Sequence, residues 1–126
     1  MIYQFHHVHL LCSDLQNSID FFTENLGAAV VEYKKFGAAD GATLDLNGTM
    51  INFRVAADNE KVTADTSTPA YGYHHIAVKV EDIDAAHKEL SDKGVACIKS
   101  PVDAGNNRIA FFKGPDDIVF EVLQPI

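Results

Sequence analysis

Three side chains that could bind a divalent cation stand where apolar residues are expected: His7, His75 and Glu121. Each interrupts a run of β-forming residues: His-Val-His-Leu-Leu at 7–11, His-Ile-Ala-Val at 75–78 and Phe-Glu-Val-Leu at 120–123. A polar side chain buried in such a run is costly unless it finds a partner, and an isolated carboxylate most of all. Two imidazoles and one carboxylate converging from one side make a facial ligand set. Such a set holds Fe, Mn, Ni or Zn as a divalent ion and leaves positions open for substrate. The competing reading is three unrelated residues: a core histidine bonded to a carbonyl, a surface histidine and a carboxylate on a solvated strand face. What favours the joint reading is that the three sit at matching places in a repeat.

The repeat is visible around the two histidine pairs. His6-His7-Val8-His9-Leu10-Leu11-Cys12-Ser13-Asp14-Leu15 and His74-His75-Ile76-Ala77-Val78-Lys79-Val80-Glu81-Asp82-Ile83 follow one pattern. His7 and His75 are 68 residues apart, and so are Asp14 and Asp82. A fixed internal period decides the architecture before anything else does. Behind each Asp runs a helix-like segment, 15–26 and 83–93, closed by Gly27 and Gly94, the residue that a left-handed helix C-terminus asks for. Further on, Asn47-Gly48-Thr49-Met50-Ile51-Asn52-Phe53 and Asp116-Asp117-Ile118-Val119-Phe120-Glu121-Val122 are each a turn followed by a strand with one polar residue among apolar ones. Asn52 and Glu121 differ by 69 positions, nearly the same offset.

These elements must position the candidate ligands. A strand over 5–12 points His7 and His9 to one face and His6 and Val8 to the other. Ser13 with Gln16 reads as a capping box, and Leu15, Ile19, Phe22 and Leu26 form the apolar stripe of the helix behind it. A β-rich run at 28–36 and a hairpin turning on Asn47-Gly48 complete a β-α-β-β-β module of about 3–57. Residues from about 58 to 72 are polar and broken by Pro69 and Gly72, a linker. The second module, about 73–126, is expected to place a strand at 73–80, a helix at 83–93 and strands at 95–99, 108–113 and 118–123. A loop over 100–107 and a turn over 114–117 would separate its last three strands. Together the two modules fill one domain of 126 residues.

Around the candidate ligands stand further polar groups. His9 lies on the strand face of His7, roughly 6–7 Å away. A neutral imidazole there is a general base near a bound substrate, or else a packed wall residue. Arg54 shares a face with Asn52, to bind an acidic group of the substrate or to lie solvated at the strand end. Tyr73 has the parity of His75 and would line the cavity rim. Arg108 reads as a surface or dimer contact and His87 as a solvated helix residue. Cys12 and Cys97 sit in apolar strand patterns and read as small hydrophobes in a reducing cytosol rather than as a disulfide. A formal net charge of −8 argues against nucleic acid or an anionic membrane as a partner. The N-terminus lacks the basic region of a signal peptide, and no apolar run nears the roughly 18 residues of a membrane span, so a cytoplasmic protein is expected.

Taken together, His7-Val8-His9-Leu10 with Ser13-Asp14-Leu15, His75-Ile76-Ala77-Val78 with Asp82-Ile83, and Gly114-Pro115-Asp116-Asp117 with Phe120-Glu121-Val122 resemble the vicinal oxygen chelate superfamily. That superfamily includes glyoxalase I, methylmalonyl-CoA epimerase, extradiol dioxygenases, and the fosfomycin and bleomycin resistance proteins. The resemblance implies an α+β fold of two βαβββ modules forming a curved mixed sheet around a metal cavity. It implies one divalent ion (Zn, Ni, Mn or Fe) held by His7, His75 and Glu121, and a homodimer. Its usual fourth ligand is a glutamate at the position of Asn52, whose neutral amide is a weak ligand at best and no base. Where the pattern ends its last turn in glycine, Asp117 stands here. The implied activity is that of a lyase or isomerase acting on a small substrate with two vicinal oxygens, with Glu121 or His9 moving the proton. Alternatives are an Fe(II) extradiol-type dioxygenase, a fosfomycin-type transferase and a metal-free small-molecule binding module.

Overall fold

The structure is a computed structural model that describes residues 1–63 and 70–126. Residues 64–69, inside the expected linker, lie outside the described residues. The chain divides into two units, Met1–Thr63 and Ala64–Ile126. Each carries its own four-stranded mixed sheet backed by one helix, so the duplicated βαβββ pattern is realised as two sheets.

In the first unit the elements are β1 (His7–Leu11), α1 (Leu15–Leu26), β2 (Ala29–Phe36), β3 (Ala39–Leu46) and β4 (Thr49–Arg54). The sheet order is β1-β4-β3-β2, with β1 parallel to β4 and the other pairs antiparallel. Helix α1 spans the residues that the apolar periodicity predicts, but its cap differs. Asp14, in extended conformation, accepts a hydrogen bond from Asn17 N–H at 3.0 Å. The N-cap is therefore Asp14 rather than Ser13, and the Gln16 side chain donates to Asp20 Oδ1 at 2.7 Å. A carboxylate beats a hydroxyl here because it also meets the positive end of the helix dipole. At the other end Gly27 takes φ 72°, the left-handed stop. Ile19 and Phe22 of α1 are fully buried against Ala42, Leu44, Ile51 and Phe53, with the Phe22 and Phe53 rings 5.1 Å apart. Each such side chain contributes about 1.5–3 kcal/mol by leaving water.

The second unit repeats the plan with β5 (Ile76–Lys79), α2 (Ile83–Asp92), β6 (Ala96–Ala104), β7 (Asn107–Lys113) and β8 (Val119–Pro125). Its order is β5-β8-β7-β6, with β5 parallel to β8. Asp82 caps α2 through Ala85 N–H at 2.9 Å, the counterpart of Asp14. Ile83 and Leu90 are buried with Ala110, Phe112, Phe120 and Val122, and the Phe112 and Phe120 rings stack at 5.5 Å.

Two expectations are corrected. The strand expected over 73–80 is shorter, so Tyr73, His74 and His75 precede it. The loop expected over 100–107 is a continuation of the ladder: Val102, Asp103 and Ala104 pair with Ile109, Arg108 and Asn107. Proline, glycine and paired asparagines read as a break, but β6 is an edge strand. Its register shifts on either side of Lys99 let Pro101 sit where no ladder N–H is needed. In the turn before β8, Asp116 and Asp117 take φ 55° and 58°, the left-handed conformation that Asp tolerates better than most residues. That accounts for aspartate standing at the turn's usual glycine.

Candidate functional site

Because Ile51 and Phe53 turn toward α1, the residues alternating with them turn to the opposite face of the first sheet. The register places His7 beside Met50, His9 beside Asn52, and Leu11 beside Arg54 on that face. In the second sheet Phe120 and Val122 are buried beneath α2, so Glu121 lies on the corresponding face, beside Ala77. His9–Asn52 and Ala77–Glu121 are equivalent pairs, so Asn52 and Glu121 hold the same structural position in the two modules. Their other neighbours differ: Thr43 stands beside Asn52, and Phe111 beside Glu121.

In the second unit, His75 Nε2 lies 2.9 Å from Glu121 Oε2. The His75 ring stands edge-on to Phe111 at 5.3 Å, which limits its swing. The Glu121 side chain is 13% exposed and that of His75 is 31%, so the carboxylate is the more buried member of the pair. On the far edge of the ring, His75 Nδ1 meets His74 Nδ1 at 2.8 Å.

In the first unit, His7 repeats the last of these contacts, with His6 Nδ1 at 2.8 Å from His7 Nδ1. Strand parity predicts His6 and His74 to point away from their neighbours. They do not, because each stands just before its strand, where alternation no longer applies. The His7 and His9 rings are 6.3 Å apart, as two residues on one strand face should be. His9 rests edge-on against Phe36 at 4.6 Å. Phe36 reaches that place because Gly41 has no side chain: a Cβ there would come within 2.5 Å of the Phe36 ring. Burial, and then the positive charges of Arg54, His7 and Lys34, pull the His9 pKa below the usual imidazole value. His9 is accordingly neutral at pH 7, as a proton acceptor must be.

Asn52 is 8% exposed, and its Oδ1 accepts a hydrogen bond from Thr43 Oγ1 at 2.7 Å. One lone pair of the only atom that could ligate is thus already engaged. Arg54, expected at an acidic group of the substrate, donates through both Nη atoms to Glu60, at 2.9 Å for Nη2 and Oε2, and from Nη1 to Val55 O at 3.2 Å. Glu60 Oε1 also accepts from Ala57 N–H at 2.7 Å. Arg54, followed by Ala57 N–H, holds the Glu60 carboxyl down at about 2. Glu60 was missed because it sits in an irregular segment with no period to mark it. Tyr73 is fully exposed, and Arg108 spans Asp84 and Asp103 at 3.1 Å each. His87 lies 5.9 Å from Phe112 on α2, away from these groups. Cys97 is exposed on β6 rather than buried, and the two cysteines form no disulfide.

Within neither unit, among the described residues, do three His, Cys, Asp or Glu side chains gather into one ligand group. The second unit brings an imidazole, His75, and a carboxylate, Glu121, to 2.9 Å of each other. An imidazole nitrogen and a carboxylate oxygen set side by side are the donor types that a borderline divalent ion takes, so the chemistry of the pair fits a metal. Among the described residues, no helix is long and apolar enough to cross a membrane.

Comparison with known proteins agrees with this architecture. The chain is 33% identical, over 129 residues, to a probable lactoylglutathione lyase of Vibrio cholerae serotype O1, covering 94% of this chain and 88% of that protein. Among solved structures, a glyoxylase/bleomycin resistance protein/dioxygenase domain from Frankia sp. EAN1pec superposes with a TM-score of 0.82 at 22% identity, covering 100% of this chain and 94% of the other. A variant of FosX, the fosfomycin resistance protein from Listeria monocytogenes, solved with Mn(II) and 1S,2S-dihydroxypropylphosphonic acid, gives a TM-score of 0.77 at 20% identity, covering 100% and 95%. At these identities the two structures speak for the fold alone. The model of one family matches residues 4–122, both copies of the repeat included, and the chain therefore belongs to the Glyoxalase/Bleomycin resistance protein/Dioxygenase superfamily.

Proposed function

We propose that this protein is a divalent-metal-dependent lyase or isomerase of glyoxalase or epimerase type, acting on a small substrate with two vicinal oxygens. The observation that carries the reading is the His75 Nε2 to Glu121 Oε2 pairing at 2.9 Å on the sheet face that the helix leaves free. His75 and Glu121 would hold the ion, with His7, the repeat counterpart of His75, completing the set. When bound, the ion supplies a Lewis acid that draws electron density from two neighbouring oxygens of the substrate. His9, neutral and held against Phe36, takes the proton from the substrate carbon at its exposed ring nitrogen and returns it to the neighbouring carbon or oxygen. Glu121 balances the cation's charge and is the second group able to carry a proton. Asn52 can do neither, and its oxygen is bonded to Thr43. The related Vibrio protein, named a probable lactoylglutathione lyase, supports this class of reaction.

A second reading rests on that same asparagine. With a neutral amide in place of a fourth ligand, the set of two histidines and one glutamate suits opening of an epoxide or ring, the chemistry of fosfomycin-type and dioxygenase-type members. FosX, a fosfomycin resistance protein, shares the fold.

The test is metal content, measured by elemental analysis on protein purified without chelators or metal resin. About one ion per chain is expected for a single site. His7→Ala, His75→Ala and Glu121→Ala should each lower occupancy at least tenfold, and His87→Ala should leave it unchanged. Equal occupancy in all four variants would overturn the assignment. A wild-type protein that takes up no metal on titration would be a binding module.

A further inference from the structure

The two histidine pairs carry an inference that rests on the metal reading above. Neighbouring residues of a β-strand project to opposite faces, so their rings cannot touch. His6 and His74 escape this rule by standing just outside β1 and β5, and each turns its ring back onto the next residue. The result is the same in both modules: Nδ1 to Nδ1 at 2.8 Å, with ring centroids 5.1 Å apart and planes crossed at 83° and 84°. Two facing lone pairs at that distance repel and two facing N–H groups collide, so one proton must lie between the rings. Whichever ring donates it, the other accepts.

We propose that His74 and His6 are positioning residues that decide which ring nitrogen of His75 and His7 carries the proton, and thereby which one is free to bind a cation. In the second unit the logic closes. Glu121 is an acceptor, so in the metal-free protein His75 must carry its proton on Nε2 to bond at 2.9 Å. When the His75 ring is neutral its Nδ1 is then a lone pair, and His74 donates from its own Nδ1. A cation at His75 Nε2 needs that nitrogen bare, with the ring's proton on Nδ1 instead. His74 can supply it: the proton between the rings moves from His74 Nδ1 to His75 Nδ1, the proton on His75 Nε2 leaves to water, and His74 Nε2 takes one from water. One proton leaves and one enters, and neither ring changes its charge. A metal-bound histidine usually donates its other N–H to a carboxylate, carbonyl or water, and losing that partner typically costs about 10–100-fold in affinity. Here the adjacent imidazole takes that part.

The experiment is long-range ¹H–¹⁵N NMR of the histidine rings in metal-free and Zn(II)-loaded protein, with Zn(II) titrations of three His74 variants. In the metal-free protein His74 is expected as the Nδ1–H form and His75 as the Nε2–H form, and Zn(II) should reverse both. His74→Phe and His74→Leu keep bulk but lose the acceptor, and should weaken Zn(II) binding about 10–100-fold. His74→Asn, whose Oδ1 stands where Nδ1 stood, should restore most of it. His6→Phe should act in the same direction. Phe and Leu variants that bind as tightly as wild type, or a His74 that keeps its form on loading, would overturn the proposal. Should wild type bind no Zn(II), the metal reading fails by itself. The metal-free spectrum then still decides the pairing, which is refuted if His74 carries its proton on Nε2.

Discussion

Asn52 and Glu121 show how one position can be given two chemistries by its neighbour. Beside Asn52 stands Thr43, whose hydroxyl ties up the amide oxygen, and beside Glu121 stands Phe111, which has nothing to donate and props His75 instead. Arg54 extends the point. Its fork is filled by Glu60, so an anionic substrate would have to displace a carboxylate that three N–H groups hold. The Glu60 carboxyl lies at about 2, below its reference value of 4.5. A depressed carboxyl contributes stability in full above its unfolded value and loses it as pH falls through its folded one. The pairing should therefore persist unweakened down to pH about 4.5 and fade toward about 2. A ¹³C titration of the Glu60 carboxyl checks this, and a midpoint near 4.5 would refute it. The ligand candidates were legible because polar residues at matching places in a repeat are conspicuous. Glu60, His6 and His74 were not, since their roles depend on side chains folding back where strand alternation stops.

At the scale of elements, both helices were legible to within a residue or so, since apolar spacing marks their length and glycine their end. The start of each helix agrees, but the cap of α1 is Asp14 and not the expected Ser13, because both are good caps and only geometry chooses between them. The choice has a measurable consequence. Asp14→Ala and Asp82→Ala should each cost about 1 kcal/mol in urea unfolding, and Ser13→Ala less than Asp14→Ala. Equal losses at Ser13 and Asp14 would show that the cap is shared. The long edge strand β6 was illegible for a different reason. Pro101 and Gly105 are the residues that break ladders, and only an edge position lets the chain keep pairing around them. Local composition does not reveal which strand will be outermost.

For the whole molecule, duplication was the most legible property, and it accounts for the equal size of the two units. Each sheet ends in an edge strand with apolar side chains in water: Val31 is 54% and Tyr33 58% exposed on β2, and Ile98 is 53% exposed on β6. Large exposed aliphatics of this kind suit contact between copies, and we propose a homodimer. Light scattering should give about twice the chain mass of 13.8 kDa, and a mass of one chain would exclude the dimer. Pro101 bears on this surface too. An edge strand with a full row of free N–H and C=O groups is a template on which another chain can grow, the first step toward a fibril. By deleting one donor in a strand already out of step at Lys99, Pro101 makes β6 a poor template. Pro101 is therefore expected to act as a gatekeeper against amyloid-like growth. Replacing it with Val should leave the melting temperature nearly unchanged yet speed thioflavin-positive aggregation several-fold on gentle heating.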